Sequence, residues 1–353
     1  MSDTETRIAD PYQIKSGVYF TSSGNEYKVE TTSLLVGNVP LSVLMLTPKK
    51  APTAIVQLLH GMCEYKERYM PFMERLIDKG YACIIHDHRG HGASVLDDGD
   101  YGYMYEAHGK DIVEDAHQIT VFAKRKWPGL PLVLFAHSFG TLVARVYLKT
   151  YDYEPAAVIL SGPPCDNKAA KPGLTLVKCM EKAMGSKTHS KFVDDISVGM
   201  FSKAFPDESP ASWISTDKSV VEKYEANPLC TFTFTLNGYK CMMELLVSSF
   251  SKRGWLLTNP SLPILFAAGA DDPCAGSAED FKHTVMFPWK MGYYHVQWKR
   301  YEGMRHEILN EVDNELVMKD FTRFIRKSLM ESLPIKNRLR RWAGLRPETS
   351  SGQ

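Results

Sequence analysis

Apolar runs of strand length alternate with longer amphipathic segments along most of the chain, and the apolar runs stop at small or polar residues. Tyr27 to Leu46 reads as two strands meeting at Gly37-Asn38, a pairing that predicts a hairpin turning there. Three later runs are almost continuously apolar: Thr53 to Leu59, interrupted only by Gln57, then Ala82 to His86, and Pro263 to Ala268. A fourth, Leu132 to His137, leads directly into Ser138. Beyond it Leu142, Val143, Val146 and Tyr147 recur at helical spacing, which predicts a helix with Arg145 and Lys149 elsewhere on its surface. Strands alternating with helices in this way predict an α/β fold with a mostly parallel central sheet flanked by helices.

The junction at residues 136–140, Ala-His-Ser-Phe-Gly, carries the first candidate chemistry. A strand that turns sharply into a helix with small residues two positions either side of a serine presents that hydroxyl as a nucleophile. Ser138 then stands at a helix N-terminus, where unpaired N–H groups stabilise an anion. Ala136 occupies the place where glycine is usual, and Gly140 the second small position. Acyl transfer needs two backbone N–H donors at the developing oxyanion, one after the nucleophile and one from an earlier strand end. Phe139 and Met62, the latter in His60-Gly61-Met62 at the end of the Thr53–Leu59 run, are the natural suppliers.

A serine needs a base to take its proton and an acid to orient that base, in the chain order Ser, Asp or Glu, His. The Pro263–Ala268 run ends in Gly269-Ala270-Asp271-Asp272-Pro273, which offers two carboxylates at the sheet edge. Of eleven histidines, His306 has the supporting context. The strand-like Val296 to Tyr301 leads into a loop that brings it to the same edge, and Glu307 and Glu311 are expected to open the last helix. His86, His88 and His91 cluster, but on a tight loop rather than at the spacing of metal ligands, so no metal is expected there. His60 and His137 flank the oxyanion and nucleophile positions and are read as shaping the pocket floor by hydrogen bonding.

His60-Gly61-Met62 with Glu64, Arg68 and Tyr69, then Asp87-His88-Arg89-Gly90-His91-Gly92, Ser138 in its elbow, and His306-Glu307-Ile308-Leu309-Asn310-Glu311 resemble the monoacylglycerol lipase and lysophospholipase group of α/β-hydrolases. The resemblance spans residues 27 to 327 with its motifs in order. It implies the α/β-hydrolase fold, Glu64 as a further pocket-shaping residue, and Asp272 rather than Asp271 as the acid of a Ser138–Asp272–His306 triad. The activity implied is ester hydrolysis through an acyl-enzyme, on a lipid such as a monoacylglycerol or lysophospholipid, with no metal, nucleotide or organic cofactor. A general carboxylesterase or peptidase-like hydrolase with the same triad is the rival enzyme, and a catalytically silent lipid-binding protein the rival of another class.

About a hundred residues, Pro163 to Leu262, separate the strand ending at Ser161-Gly162 from the next core strand, which makes them a mainly helical cap. Met180, Met184, Phe201, Trp213, Phe232 and Met243 are among its large apolar side chains, most of them expected to pack it onto the core and some to line an acyl tunnel. The expected organisation is a loose tail over 1–20, a core over 21–162 and 263–330, the cap over 163–262, and a basic tail over 331–353. Ile335 to Trp342 in that tail mixes cations with apolar residues, and either it or the cap could make weak contact with a membrane surface. A formal charge of +1 gives no attraction to nucleic acid. The polar stretch from Met1 to Lys15 lacks a signal's apolar core, and seven cysteines without regular spacing read as reduced thiols, so a cytoplasmic enzyme is expected. Cys63, beside the oxyanion loop, is expected to confer sensitivity to thiol reagents.

Overall fold

Where apolar runs are continuous, the chain forms strands covered on both faces; where they alternate, it forms strands with one open face. The computed structural model describes residues 14–331. β1 (Gly17–Phe20), β2 (Glu26–Val36) and β3 (Val39–Pro48) are antiparallel, and β2 and β3 turn through Gly37-Asn38 as the pattern predicts. Next come β4 (Ile55–Leu59), α1 (Met70–Ile77), β5 (Ala82–His86), α2 (Gly109–Lys126), β6 (Leu132–His137), α3 (Phe139–Tyr151) and β7 (Pro155–Ser161). Between β7 and the next strand lie α4 (Ala170–Met184), α5 (Lys191–Ser197), α6 (Lys218–Glu225) and α7 (Leu236–Ser249). The chain then returns to the sheet with β8 (Ile264–Gly269), α8 (Ala278–Met291), β9 (Val296–Tyr301) and α9 (Asn314–Glu331).

The nine strands of the described residues form one sheet in the order β1-β2-β3-β5-β4-β6-β7-β8-β9. β3 pairs antiparallel with β5, and every pairing from there to β9 is parallel. One face is packed by α2, α3 and α8 together with α7 of the insertion, through residues such as Ile112, Leu142, Phe281 and Leu245. The other is packed by α1 and α9, through Phe72, Met73, Phe321 and Ile325. Gln57, the polar interruption in β4, is buried and satisfied: its amide donates to Ala116 O at 2.8 Å and its carbonyl accepts from Thr120 Oγ1 at 2.7 Å. No helix among the described residues is long and apolar enough to cross a membrane.

Two expectations change here. The loose tail to residue 20 ends early, because Gly17–Phe20 pairs with β2. Its four residues are too short for their alternation to be legible, and Val18 and Phe20 face outward. Residues 1–13 and the basic tail from 332 onward, including Ile335 to Trp342, lie outside the described residues. Arg145 and Lys149 are buried rather than surface residues. The insertion roofs the side of α3 that a bare helix would expose, so Arg145 lies 4.1 Å over the Phe250 ring and donates to Pro164 O, while Lys149 Nζ donates to Ser251 O and Arg253 O. Burial pulls the Arg145 guanidinium down to about 9.

Candidate active site

β6 runs straight into α3 with one residue between them, and that residue is Ser138 at φ 49°, ψ −117°. A non-glycine residue held there is strained, and persists only because its surroundings over-determine it. Ser138 N–H donates to Ser161 O at 2.9 Å, and Ser138 O accepts from Thr141 N–H at 2.8 Å. Gly140 lets the helix start touch the end of β4, since a Cβ there would lie 2.4 Å from Leu59 O. Ala136 is fully buried and the elbow keeps its conformation around it, so the extra methyl is accommodated.

Loops from the ends of β8 and β9 deliver the next two side chains. His306 Nε2 lies 2.7 Å from Ser138 Oγ, and His306 Nδ1 lies 3.0 Å from each oxygen of Asp272. Cys274 N–H donates to Asp272 Oδ1 at 2.8 Å. Asp271 is exposed, so the structure separates the two carboxylates that residue patterns left open. Burial alone would lower the His306 pKa, but the Asp272 charge and hydrogen bond outweigh it and hold it above its ordinary value. Gly162, at φ 58°, ends β7 beneath this ring, and a Cβ on it would come within 3.0 Å of His306 Cε1. Trp213, from the insertion, also packs on His306, with ring centroids 4.8 Å apart.

The third component is the loop after β4. Gly61 N–H is taken by Glu64 Oε1 and Cys63 N–H by His91 Nε2, whereas Met62 N–H between them has no acceptor among the described residues. Phe139 N–H is the first of α3, with no carbonyl one turn back inside the helix. Gly61 is close to the serine: a Cβ built on it would be 3.1 Å from Ser138 Cβ. His60 lies under this loop, its Nε2 accepting from His88 N–H at 2.9 Å and its Nδ1 bonding Gly61 O at 2.7 Å. Both nitrogens of His91 are likewise engaged, by Cys63 N–H and Arg89 O, which leaves it no lone pair for a metal. Among the described residues, the donor atoms of Asp272, Cys274 and His306 come within 4.8 Å of one another, and two of these groups already bond each other.

His137 packs its ring 4.8 Å from that of His306 rather than anchoring the floor by a hydrogen bond, and burial pushes its pKa down to about 3. Cys63 is buried with its thiol directed at Phe232 O, and burial raises its pKa well above the ordinary value, which makes it a poor nucleophile. Glu64 accepts from Gly61 N–H, Tyr69 OH and Arg68 Nη1, and Arg68 forks onto both oxygens of Glu307 at 2.8 and 2.7 Å. Against the burial that would raise it, the Arg68 charge and hydrogen bonds hold the Glu307 carboxyl at about 2. A cavity of about 20 Å³, room for roughly one water, lies behind His137 against Glu64, Arg68 and Glu307.

Glu307 and Glu311 do not open the last helix. α9 begins at Asn314, and Ile308–Asn310 is a single 3-10 turn. Both carboxylates are buried and engaged elsewhere, Glu307 by the distant Arg68 and Glu311 by Arg305 N–H, so neither caps a helix. Sequence reasoning named Arg68 without giving it a role and missed Trp213 as a neighbour of His306.

A family model described as serine aminopeptidase, S33, matches residues 50–313, more than half of the chain. The chain belongs to that family. It is 28% identical over 294 residues to a monoacylglycerol lipase of Mycolicibacterium smegmatis, covering 82% of this chain and 94% of the relative. It is 24% identical to the human monoglyceride lipase, covering 75% and 83%. Among solved structures, a carboxyl esterase from Bacillus coagulans superposes with a TM-score of 0.79 at 25% identity, covering 85% of this chain and 99% of the esterase. A soluble variant of the Saccharomyces cerevisiae monoglyceride lipase gives 0.65 at 17% identity, covering 85% and 96%. The family and these neighbours share the α/β-hydrolase fold described above.

Proposed function

We propose that this chain is a serine hydrolase that cleaves carboxylic esters of lipids, most directly a monoacylglycerol or lysophospholipid, through Ser138, His306 and Asp272. The observation that carries the reading is the hydrogen-bonded line from Ser138 Oγ to His306 Nε2 at 2.7 Å and from Nδ1 to Asp272 at 3.0 Å, set on a strained strand-to-helix elbow. A carboxylate at Nδ1 keeps the proton on that nitrogen and leaves Nε2 as the lone pair facing the hydroxyl. His306 takes the Ser138 proton as Oγ attacks the ester carbonyl, and the imidazolium that forms is stabilised by Asp272. The tetrahedral oxyanion is met by Met62 and Phe139 N–H groups, whose stabilisation strengthens as charge develops. His306 returns the proton to the departing alcohol, and water repeats the sequence on the acyl-enzyme to release the acid.

The lipid assignment is supported by the two relatives found by sequence, both of them monoacylglycerol or monoglyceride lipases. The apolar side chains of the insertion are compatible with it: Leu174, Met180, Phe232 and Met242 pack on the core while keeping part of their surface exposed, which leaves a subset of them available to line an acyl site. The likeness to a carboxyl esterase favours a second reading, hydrolysis of smaller esters at the same serine.

Fatty-acid release from a long-chain monoacylglycerol and acid release from a short-chain ester, each with wild-type protein and Ser138→Ala, separates these readings. Release from the long substrate that falls by about 10⁴-fold or more in the variant is expected. Serine-dependent release from the short ester alone gives the second reading, and equal rates in both proteins remove Ser138 as nucleophile.

A further inference from the structure

The segment Arg305 to Glu311, which carries His306, is bonded to the cap as extensively as to the core. His306 N–H donates to Trp213 O at 3.4 Å and Glu307 N–H to Ile214 O at 2.7 Å, while Ser215 Oγ donates to Asn310 O at 3.1 Å. The Arg305 guanidinium donates to Ser212 O at 2.6 Å and forks onto Glu208 at 2.9 and 2.7 Å, lying 3.7 Å over the Phe205 ring. Glu311 sits at the centre. Its Oε1 accepts Arg305 N–H at 2.7 Å, which closes the loop around His306, and Thr216 N–H reaches both of its oxygens at 3.1 Å with Thr216 Oγ1 on Oε2. The residue is 2% exposed, and these donors are neutral. A buried carboxylate held only by N–H and O–H groups depends on every one of them, because each lost donor leaves charge desolvated and unmet.

We propose that Glu311 is a positioning residue that makes the placement of His306 over Ser138 depend on the cap segment Ser212–Asp217 being seated. This rests on the hydrolase reading above and concerns the control of that same site. One carboxylate grips the start of the His306 loop and the backbone of the cap together, so the two move as a unit. When the segment lifts, the N–H groups of His306 and Glu307 lose their carbonyl partners and Glu311 loses Thr216, and the imidazole leaves hydrogen-bonding reach of the serine. An uncovered site therefore holds a displaced base, and acyl transfer is confined to the covered state.

The test compares wild-type protein with Glu311→Ala, Glu311→Gln, Thr216→Val and the Glu311→Ala/Thr216→Val pair. For each, kcat and KM are measured on a long-chain monoacylglycerol, together with the rate at which a fluorophosphonate labels Ser138, all per folded molecule as judged by urea unfolding. Misplacing a base by about 1 Å costs on the order of 10²-fold in rate. Glu311→Ala should therefore lower kcat and labelling by about that factor with KM little changed. Glu311→Gln, which keeps an acceptor oxygen, should fall between it and wild type, and Thr216→Val should lose several-fold in the same direction. The double variant should be no slower than Glu311→Ala alone, since both act through one carboxylate.

Folded Glu311→Ala with wild-type kcat, or losses that multiply in the double variant, overturns the proposal. Should Glu311→Ala fail to fold, an undiminished kcat in Thr216→Val does the same. Wild-type protein that neither turns over nor takes the label removes the hydrolase reading and this proposal with it, whereas an active wild type with equally active variants removes this proposal alone.

Discussion

In the cap, α7 is fastened by apolar side chains that belong to the main core, whereas the stretch from Phe205 to Glu225 is fastened by polar groups to the loop that carries His306. Leu236, Tyr239, Cys241 and Leu245 of α7 are buried with residues of α2 and α3. Ala211, Ile214 and Val221 form a small apolar cluster of their own, with Trp213 and Tyr224 at its margin. Burying a large apolar side chain stabilises by about 1.5–3 kcal/mol and rises with area, while an internal hydrogen bond nets roughly 0.5–1.5 kcal/mol and fails abruptly with geometry. The first attachment is strong and graded. The second is weaker contact for contact, directional and tied to the loop of His306, the proposed base. On the proposal above, an insertion divided in this way keeps its place in the fold through α7 while its polar part links the covering of the site to the position of His306.

The sharpest way to break this contrast is to weaken each attachment separately. Leu245→Ala, in the apolar attachment, should lower unfolding free energy by about 2–5 kcal/mol in urea titrations while kcat per folded molecule changes far less. Arg305→Met, in the polar attachment, should do the reverse, with stability down by only about 1 kcal/mol and kcat by roughly tenfold, because the Glu208 side of the pair is open to water, the Met side chain keeps much of the packing on Phe205, and placement of the proposed base controls rate. A stability loss in Arg305→Met equal to that of Leu245→Ala would erase the distinction.

Acid should separate the two attachments as well. His91 supports the apolar side, its ring 5.3 Å from both Phe232 and Phe234, and burial holds His86 and His91 down at about 4 from an ordinary value of 6.5. A depressed folded-state value gives stability that is fully present above 6.5 and is lost as pH falls toward 4, so the urea midpoint should decline across that window. The hydrogen bond and charge of Arg305 hold Glu208 below its ordinary value, so this carboxylate resists acid better than a free one. Activity should fall earlier than stability, because His306 is held above 6.5 and becomes protonated first. A midpoint that stays level from pH 6.5 to 4 would show that the buried imidazoles are not what acid titrates. The smallest effect belongs to Lys223→Ala on the exposed side of α6, expected within about 0.5 kcal/mol and without change in kcat.

What could be read from the sequence was whatever local pattern determines. The hairpin at Gly37-Asn38, the elbow at Ser138 and the apolar strands β4, β5, β6 and β8 are set by neighbours within a few residues, and the structure places them accordingly. The side chains of Ser138, Asp272 and His306 meet because their strands end at one edge of a parallel sheet, a consequence of fold class rather than of any single motif. The readings that failed involve partners distant in sequence. Glu307 looked like a helix-opening acid until Arg68, 239 positions away, claimed it. Arg145 and Lys149 looked solvent-facing until the end of α7 and the loop after it, a hundred residues later, covered them. β1 was missed because an edge strand of four residues carries almost no periodicity.

Gly140 and Gly162 have a further meaning for anyone mapping tolerance to substitution. Neither has a group that can react, bind or donate from a side chain. Yet a methyl at 140 would strike Leu59 O, and one at 162 would press on the His306 ring. In a scan of all single replacements, both positions should score as severely as Ser138, Asp272 and His306, the proposed reacting residues. The map of intolerant sites would then mark the places where this enzyme fold requires empty volume, as well as those where it requires chemistry.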